Sequence, residues 1–184
     1  MKKRSFIGLS ATIVILSLAW ILLTPVLFPT NASNLDTTAP HPGFMAPDFT
    51  LSTPKEEIRS LSDYRGQPVL VFLWASWCSV CKKTMPGLQS VYEDYTSKGF
   101  EILAVNTTFQ DTQTTAISIF QAEEYTYQLL LDKEGLVSQM YSLYALPTAF
   151  LVDPDGRVLD VVIGSGISEG YLRSHLDKIF ENSK

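Results

Sequence analysis

Trp74-Ala75-Ser76-Trp77-Cys78-Ser79-Val80-Cys81-Lys82-Lys83 joins two different sequence patterns. Before it, residues 69–74 read Val-Leu-Val-Phe-Leu-Trp. Such an unbroken apolar run is expected of a strand buried on both faces of a sheet. After it, Leu88, Val91, Tyr92 and Tyr95 recur at helical spacing until Gly99 stops the pattern. The two cysteines therefore sit where a strand ends and a helix begins. Cys78 falls at the helix N-terminus, where unpaired N–H groups and the macrodipole favour an anion. Its thiol pKa is expected below the free value of about 8.5. Cys81 follows one turn later, within reach of the first sulfur, so the pair can close a small disulfide ring. Cys78 is then the exposed nucleophile, and Cys81 the more buried thiol that resolves a mixed disulfide.

Three other readings of the pair are weaker. A zinc site needs two more ligands, and the chain has two cysteines in all and two distant histidines, His41 and His175. A purely structural disulfide gains little from so tight a loop. Inert core cysteines fit poorly at a strand-to-helix junction in an exported domain.

Outward from the motif, residues 44–51 are expected to form a lead-in strand that pairs with 57–61. A helical turn at 61–66 ends on Gly66. Residues 101–106 and 128–131 read as further strands, and 112–124 and 136–141 as helices. Strands at 148–152 and 158–163 flank Asp153-Pro154-Asp155-Gly156, strong turn chemistry for a hairpin. A final amphipathic helix over 168–180 carries Leu172, Leu176, Ile179 and Phe180 on its apolar stripe, with His175 beside it in a packing or surface role. This order predicts an α/β domain with a mixed sheet whose hairpin strand is antiparallel.

A second element of interest is Ala145-Leu146-Pro147-Thr148, directly before a strand. A cis bond at Pro147 would expose the backbone of Leu146 to an extended substrate. The bland alternative is a strand-entry proline.

At the N-terminus, Lys2, Lys3 and Arg4 precede an uncharged, mostly apolar run over 6–28. As a helix it spans roughly 34 Å, enough for the ~30 Å hydrocarbon core of a bilayer. Its length favours an uncleaved anchor over a removable signal, whose cleavage would fall after Ala32. Either way the basic tip stays in the cytoplasm and the rest of the chain faces outward. Residues 29–43, with His41, read as an extended linker.

The whole chain of 184 residues carries a formal charge of -5. Setting Lys2, Lys3 and Arg4 aside leaves eleven basic against nineteen acidic residues, or about -8. Such a domain is a poor partner for nucleic acid. No Gly-rich loop opens a helix in the manner of a nucleotide site.

From Ala46-Pro47-Asp48-Phe49, through Trp74 to Lys83 and Pro86, to Leu146-Pro147-Thr148 before Phe150-Leu151-Val152, the chain resembles the TlpA/ResA-type branch of thioredoxin-like proteins. That branch includes membrane-anchored reductases for cytochrome c maturation. The resemblance implies a thioredoxin fold over 44–184, after an anchor (1–28) and a linker (29–43). It implies Pro147 in cis beside the disulfide, and Trp77, Leu146 and Pro147 as substrate contacts. Trp74, Ser79, Val80, Lys82 and Thr84 are the active-site neighbours. The redox centre is the Cys78–Cys81 pair itself, with no further cofactor or metal. The implied partners are protein disulfides and a membrane electron donor, with the domain on the outer side of a bacterial cytoplasmic membrane.

Two departures from the pattern bear on proton transfer. Thr84 stands where the family often has a glutamate after the two lysines. Phe72 stands where thioredoxins proper have an acid six residues before the first cysteine. An acid from elsewhere, such as Glu123 or Glu124, or water, would have to move the proton of the resolving thiol. Ser79-Val80 also replaces the usual proline-containing dipeptide. A peroxidase reading fails on Ala75, where peroxiredoxins place a threonine. A non-catalytic adaptor that holds thiol-containing clients is the alternative from another class.

Overall fold

Residues 69–74 form a strand (β3, Val69–Trp74), buried at every position. The computed structural model describes residues 38–182. The expected anchor helix over 6–28, the cleavage point after Ala32 and most of the 29–43 linker lie outside them. Among the described residues no helix is long and apolar enough to cross a membrane.

Alternate β3 side chains enter two separate cores. Leu70, Phe72 and Trp74 pack on one face, and Val69, Val71 and Leu73 on the other. Parallel strands β4 (Glu101–Asn106) and β5 (Gln128–Leu131) extend the sheet on one side of β3. Antiparallel strands β6 (Thr148–Val152) and β7 (Val158–Ile163) extend it on the other. Two short strands, β1 (Thr50–Ser52) and β2 (Ile58–Ser60), complete the order β2-β1-β5-β4-β3-β6-β7. Helices α1 (Ser79–Tyr95), α2 (Gln113–Ala122) and α4 (Glu169–Asn182) contribute to the core that holds Trp74. The short α3 (Leu136–Met140) and the incoming segment around Phe49 contribute to the opposite core. The fold is thus α/β, with a mixed sheet and flanking helices, as the pattern of the sequence predicts.

The 153–156 turn also forms as its residues dictate. The Gly156 N–H donates to the Asp153 carbonyl, and Gly156 takes φ of +90°. That left-handed backbone conformation is what requires glycine there.

The lead-in strand is shorter than expected, and the difference has a physical cause. Only residues 50–52 pair with 58–60. Upstream, Met45 bridges Arg157 at the start of β7, on the opposite edge of the sheet. Residues 46–49 therefore cross beneath the sheet, with Ala46 and Phe49 buried in the α3-side core. Pro47 has no N–H to leave unsatisfied there. The Asp48 carboxylate accepts from the N–H groups of Phe49 and Ser62. The Pro47 carbonyl accepts from the Tyr141 hydroxyl at 2.7 Å. Residues 38–43, the last part of the expected linker, turn back on this segment. Thr38 bridges Met45, and Gly43 donates to the Val158 carbonyl.

Tyr141 is thereby the buried pin of the crossing. Tyr141→Phe keeps the ring contacts with Phe49 and Phe150 but strands a buried carbonyl. The expected cost is about 1–3 kcal/mol. Denaturant melts should show a lower midpoint at an unchanged slope.

Candidate active site

β3 ends at Trp74, and the chain must turn before α1 can begin. The Cys78 N–H closes that turn by donating to the Ala75 carbonyl at 3.1 Å. Cys78 takes an extended conformation and caps α1, its sulfur accepting from the Cys81 N–H at 3.1 Å. Cys78 and Cys81 form a disulfide, with their Cα atoms 5.3 Å apart. Cys78 is 7% exposed and Cys81 0%. Cys78 is the more accessible of the two, as expected, but it is buried rather than exposed. A thiolate released at Cys78 would lie at the cap of a 17-residue helix, facing its free N–H groups.

The proposed neighbours separate into two groups. Trp77 is 59% exposed, and its indole N–H donates to the Gln110 carbonyl at 3.3 Å. Ser79, Val80 and Lys82 are exposed on the first turn of α1. Trp74 lies beneath the motif, fully buried against Phe120. Among the described residues its indole N–H has no hydrogen-bond partner. Thr84 turns its hydroxyl back to the Val80 carbonyl, satisfied within its own helix.

Leu146-Pro147 is a cis peptide. The β3–β6 register sets Leu73 opposite Thr148, which brings Pro147 to the end of β3 where the motif starts. The Pro147 carbonyl accepts from the Gly164 N–H at 2.7 Å, and the Ala145 carbonyl accepts from the Thr148 hydroxyl. Among the described residues neither the N–H nor the carbonyl of Leu146 has a hydrogen-bond partner. The residue is partly exposed, so an extended chain could pair with it there.

The carboxylate that the fold brings to the motif is Asp111, which reading the sequence missed. It accepts from the Ser76 N–H at 2.6 Å, the Ser76 hydroxyl, the Asn106 side-chain amide at 2.7 Å and the Thr112 N–H at 2.7 Å. Asn106 ends β4 and is fully buried. Desolvation is the largest single influence on Asp111 and pushes its pKa up, but the hydrogen bonds from Ser76, Asn106 and Thr112 together outweigh it. The carboxyl is held below the ordinary value. Ser76 and Asp111 are 35 residues apart, and no local spacing rule connects them. The acids suggested from the sequence lie elsewhere. Glu123 and Glu124 follow the far end of α2, about 15 Å along its axis from Thr112. Glu124 lines a groove with Thr53 and Arg59 of the β1–β2 hairpin.

Asp111 therefore ties the motif loop to the end of β4. Asp111→Ala should cost about 1–3 kcal/mol, because buried donors lose their acceptor. The pH dependence has a definite sign. A carboxyl with a depressed folded pKa contributes stability above its unfolded value, and this is lost as pH falls through the folded one. The wild type should thus lose more stability between about pH 5 and 2 than Asp111→Asn, as read by denaturant melts across that range.

Known proteins extend these observations. Residues 42–161 match the AhpC/TSA family. The thiol-disulfide oxidoreductase ResA of Geobacillus kaustophilus is 33% identical over 97% of this chain and 99% of its own length. ResA of Bacillus subtilis is 31% identical over 74% of this chain and 75% of its own. The crystal structure of StoA from Bacillus subtilis superposes with a TM-score of 0.62 at 27% identity, covering 70% of this chain and 95% of that one. With its cysteine pair on a thioredoxin-like scaffold, the chain belongs to the AhpC/TSA family as a ResA-like thiol-disulfide oxidoreductase.

Proposed function

We propose that the chain is a dithiol reductant of protein disulfides on the outer side of the bacterial cytoplasmic membrane, tethered through residues 6–28. The observation that carries this reading is the Cys78–Cys81 disulfide at the cap of α1, beside the unpaired backbone of Leu146. In the reduced protein the Cys78 thiolate attacks one sulfur of a client disulfide, and the client's other sulfur leaves as a thiolate. Cys81, as thiolate, then attacks the Cys78 sulfur. This restores the Cys78–Cys81 disulfide and releases the second client thiolate, so two electrons pass to the client.

Leu146, next to Pro147, offers the client's backbone a pairing partner, and Trp77 offers it an exposed aromatic face. The basic tip Lys2-Lys3-Arg4 before the apolar run supports the outward topology. Regeneration needs an external dithiol, and a membrane dithiol protein on the same side is the proposed donor. Apocytochrome c is the proposed client class, on the strength of the sequence resemblance. Ser79-Val80, between the cysteines, tunes the thiolate stability, and hence the potential, on top of the helix terminus.

Two measurements test this reading. In Cys81→Ser the resolving step is lost, so mixed disulfides should accumulate through Cys78 and disappear in the Cys78→Ser, Cys81→Ser double variant. An adaptor that binds clients without exchange would trap none. The reduction potential of the domain should lie near or below about -220 mV, whereas a value near about -120 mV would make it a disulfide-introducing oxidant.

A further inference from the structure

Large apolar side chains at the redox end of the sheet run well beyond the disulfide. Trp77 is 59% exposed, Phe109 48%, Leu136 60% and Met140 41%. The segments that carry them are linked to one another in turn. The Trp77 indole is bonded to the Gln110 carbonyl, next to Phe109. The Phe109 N–H donates to the Asp132 carbonyl just past β5, and its ring lies against Gly135, at the start of α3. Leu136 and Met140 stand one turn apart on α3 and line a groove of about 270 Å³ against residues 48–51. Two carboxylate residues, Asp48 and Glu134, line this groove, and no lysine or arginine does. Lys133, the neighbouring cation, is drawn off to Glu56.

We infer that this track is a client-docking surface that takes an unfolded, extended polypeptide whose cysteine is flanked on one side by large apolar residues followed by a lysine or arginine. The inference rests on the oxidoreductase reading and specifies its substrate class. Three observations select this occupant. The track begins at Trp77, directly before Cys78 in the chain and bonded to the loop that carries Phe109, so whatever lies on it is positioned for exchange. The unpaired backbone of Leu146 accepts an extended chain more readily than a folded surface. The groove at the far end is lined by carboxylates in an acidic domain, which favours a basic residue there. Leu136 and Met140 are too exposed to be needed for the core, which α3 joins through Val137.

The test uses three peptides, each carrying one cysteine as its mixed disulfide with glutathione. One has Leu and Phe within about six residues on either side of the cysteine and Lys-Arg at its ends; the second has Ser in place of Leu and Phe, with Glu-Glu at its ends; the third keeps Leu and Phe but ends in Glu-Glu. At an extended rise of about 3.3 Å per residue this length covers a helix turn and more. Wild-type protein reduced with dithiothreitol should favour the apolar, basic peptide in kcat/KM by about tenfold or more. Leu136→Ser with Met140→Ser should erase most of that preference and leave the rate with glutathione disulfide unchanged. Glu134→Lys, a surface change, should move the preference toward an apolar peptide ending in Glu-Glu. An undiminished preference in the double variant, no response to Glu134→Lys, or no wild-type preference at all would overturn the docking surface. A wild type inert toward every peptide and toward glutathione disulfide would instead overturn the oxidoreductase reading beneath it.

Discussion

β3 is sealed on both faces and paired along both edges, so it has no freedom until it ends at Trp74. Everything chemical about the protein depends on how the chain leaves that strand. The first residues able to turn are Ala75 and Ser76, and within two more the chain must present a sulfur at the mouth of a helix. The Trp74 carbonyl is held by the Thr107 N–H, and Ser76 is held twice by Asp111. The turn is therefore clamped to the end of β4 on one side. On the other side β6 brings Pro147 to the same point. A rigid strand, one carboxylate and one proline together define where Cys78 can be.

This arrangement divides the work between buried and exposed groups. Phe72 and Trp74 fill the core under the motif, where thioredoxins proper keep an acid, and Thr84 is bonded into its own helix. The ionised group that the fold supplies, Asp111, is occupied by four hydrogen bonds and acts by position. The thiolate-stabilising field thus comes mainly from the α1 terminus, with the Cys81 N–H already directed at the Cys78 sulfur. Such a field is built from backbone, which is why side-chain substitutions around the motif are compatible with the same chemistry.

The exposed groups do another kind of work. Trp77, Phe109, Leu136 and Met140 belong to three separate segments, yet the ends of β3, β4 and β5 bring those segments side by side. Exposed apolar surface on a domain of this size tends to mark contact with a partner. Its position next to the sulfur pair couples recognition to exchange.

Strands β3 to β7 and the redox pair follow from local sequence. β3, β4, β5, β6 and β7 begin and end where their apolar runs and turn residues place them, because burial and backbone geometry act over neighbouring residues. The Cys78–Cys81 pairing and the cap position of Cys78 were legible for the same reason: three residues and one helix turn are local facts. What tertiary structure alone decided lies in contacts between distant segments. Residues 46–49 cross under the sheet because Tyr141, 94 positions from Pro47 in sequence, offers its hydroxyl there. Asp111 reaches Ser76 across 35 residues, and the apolar track assembles from three separate segments. No periodicity or spacing rule encodes such pairs, since they depend on which strand ends the sheet sets next to one another.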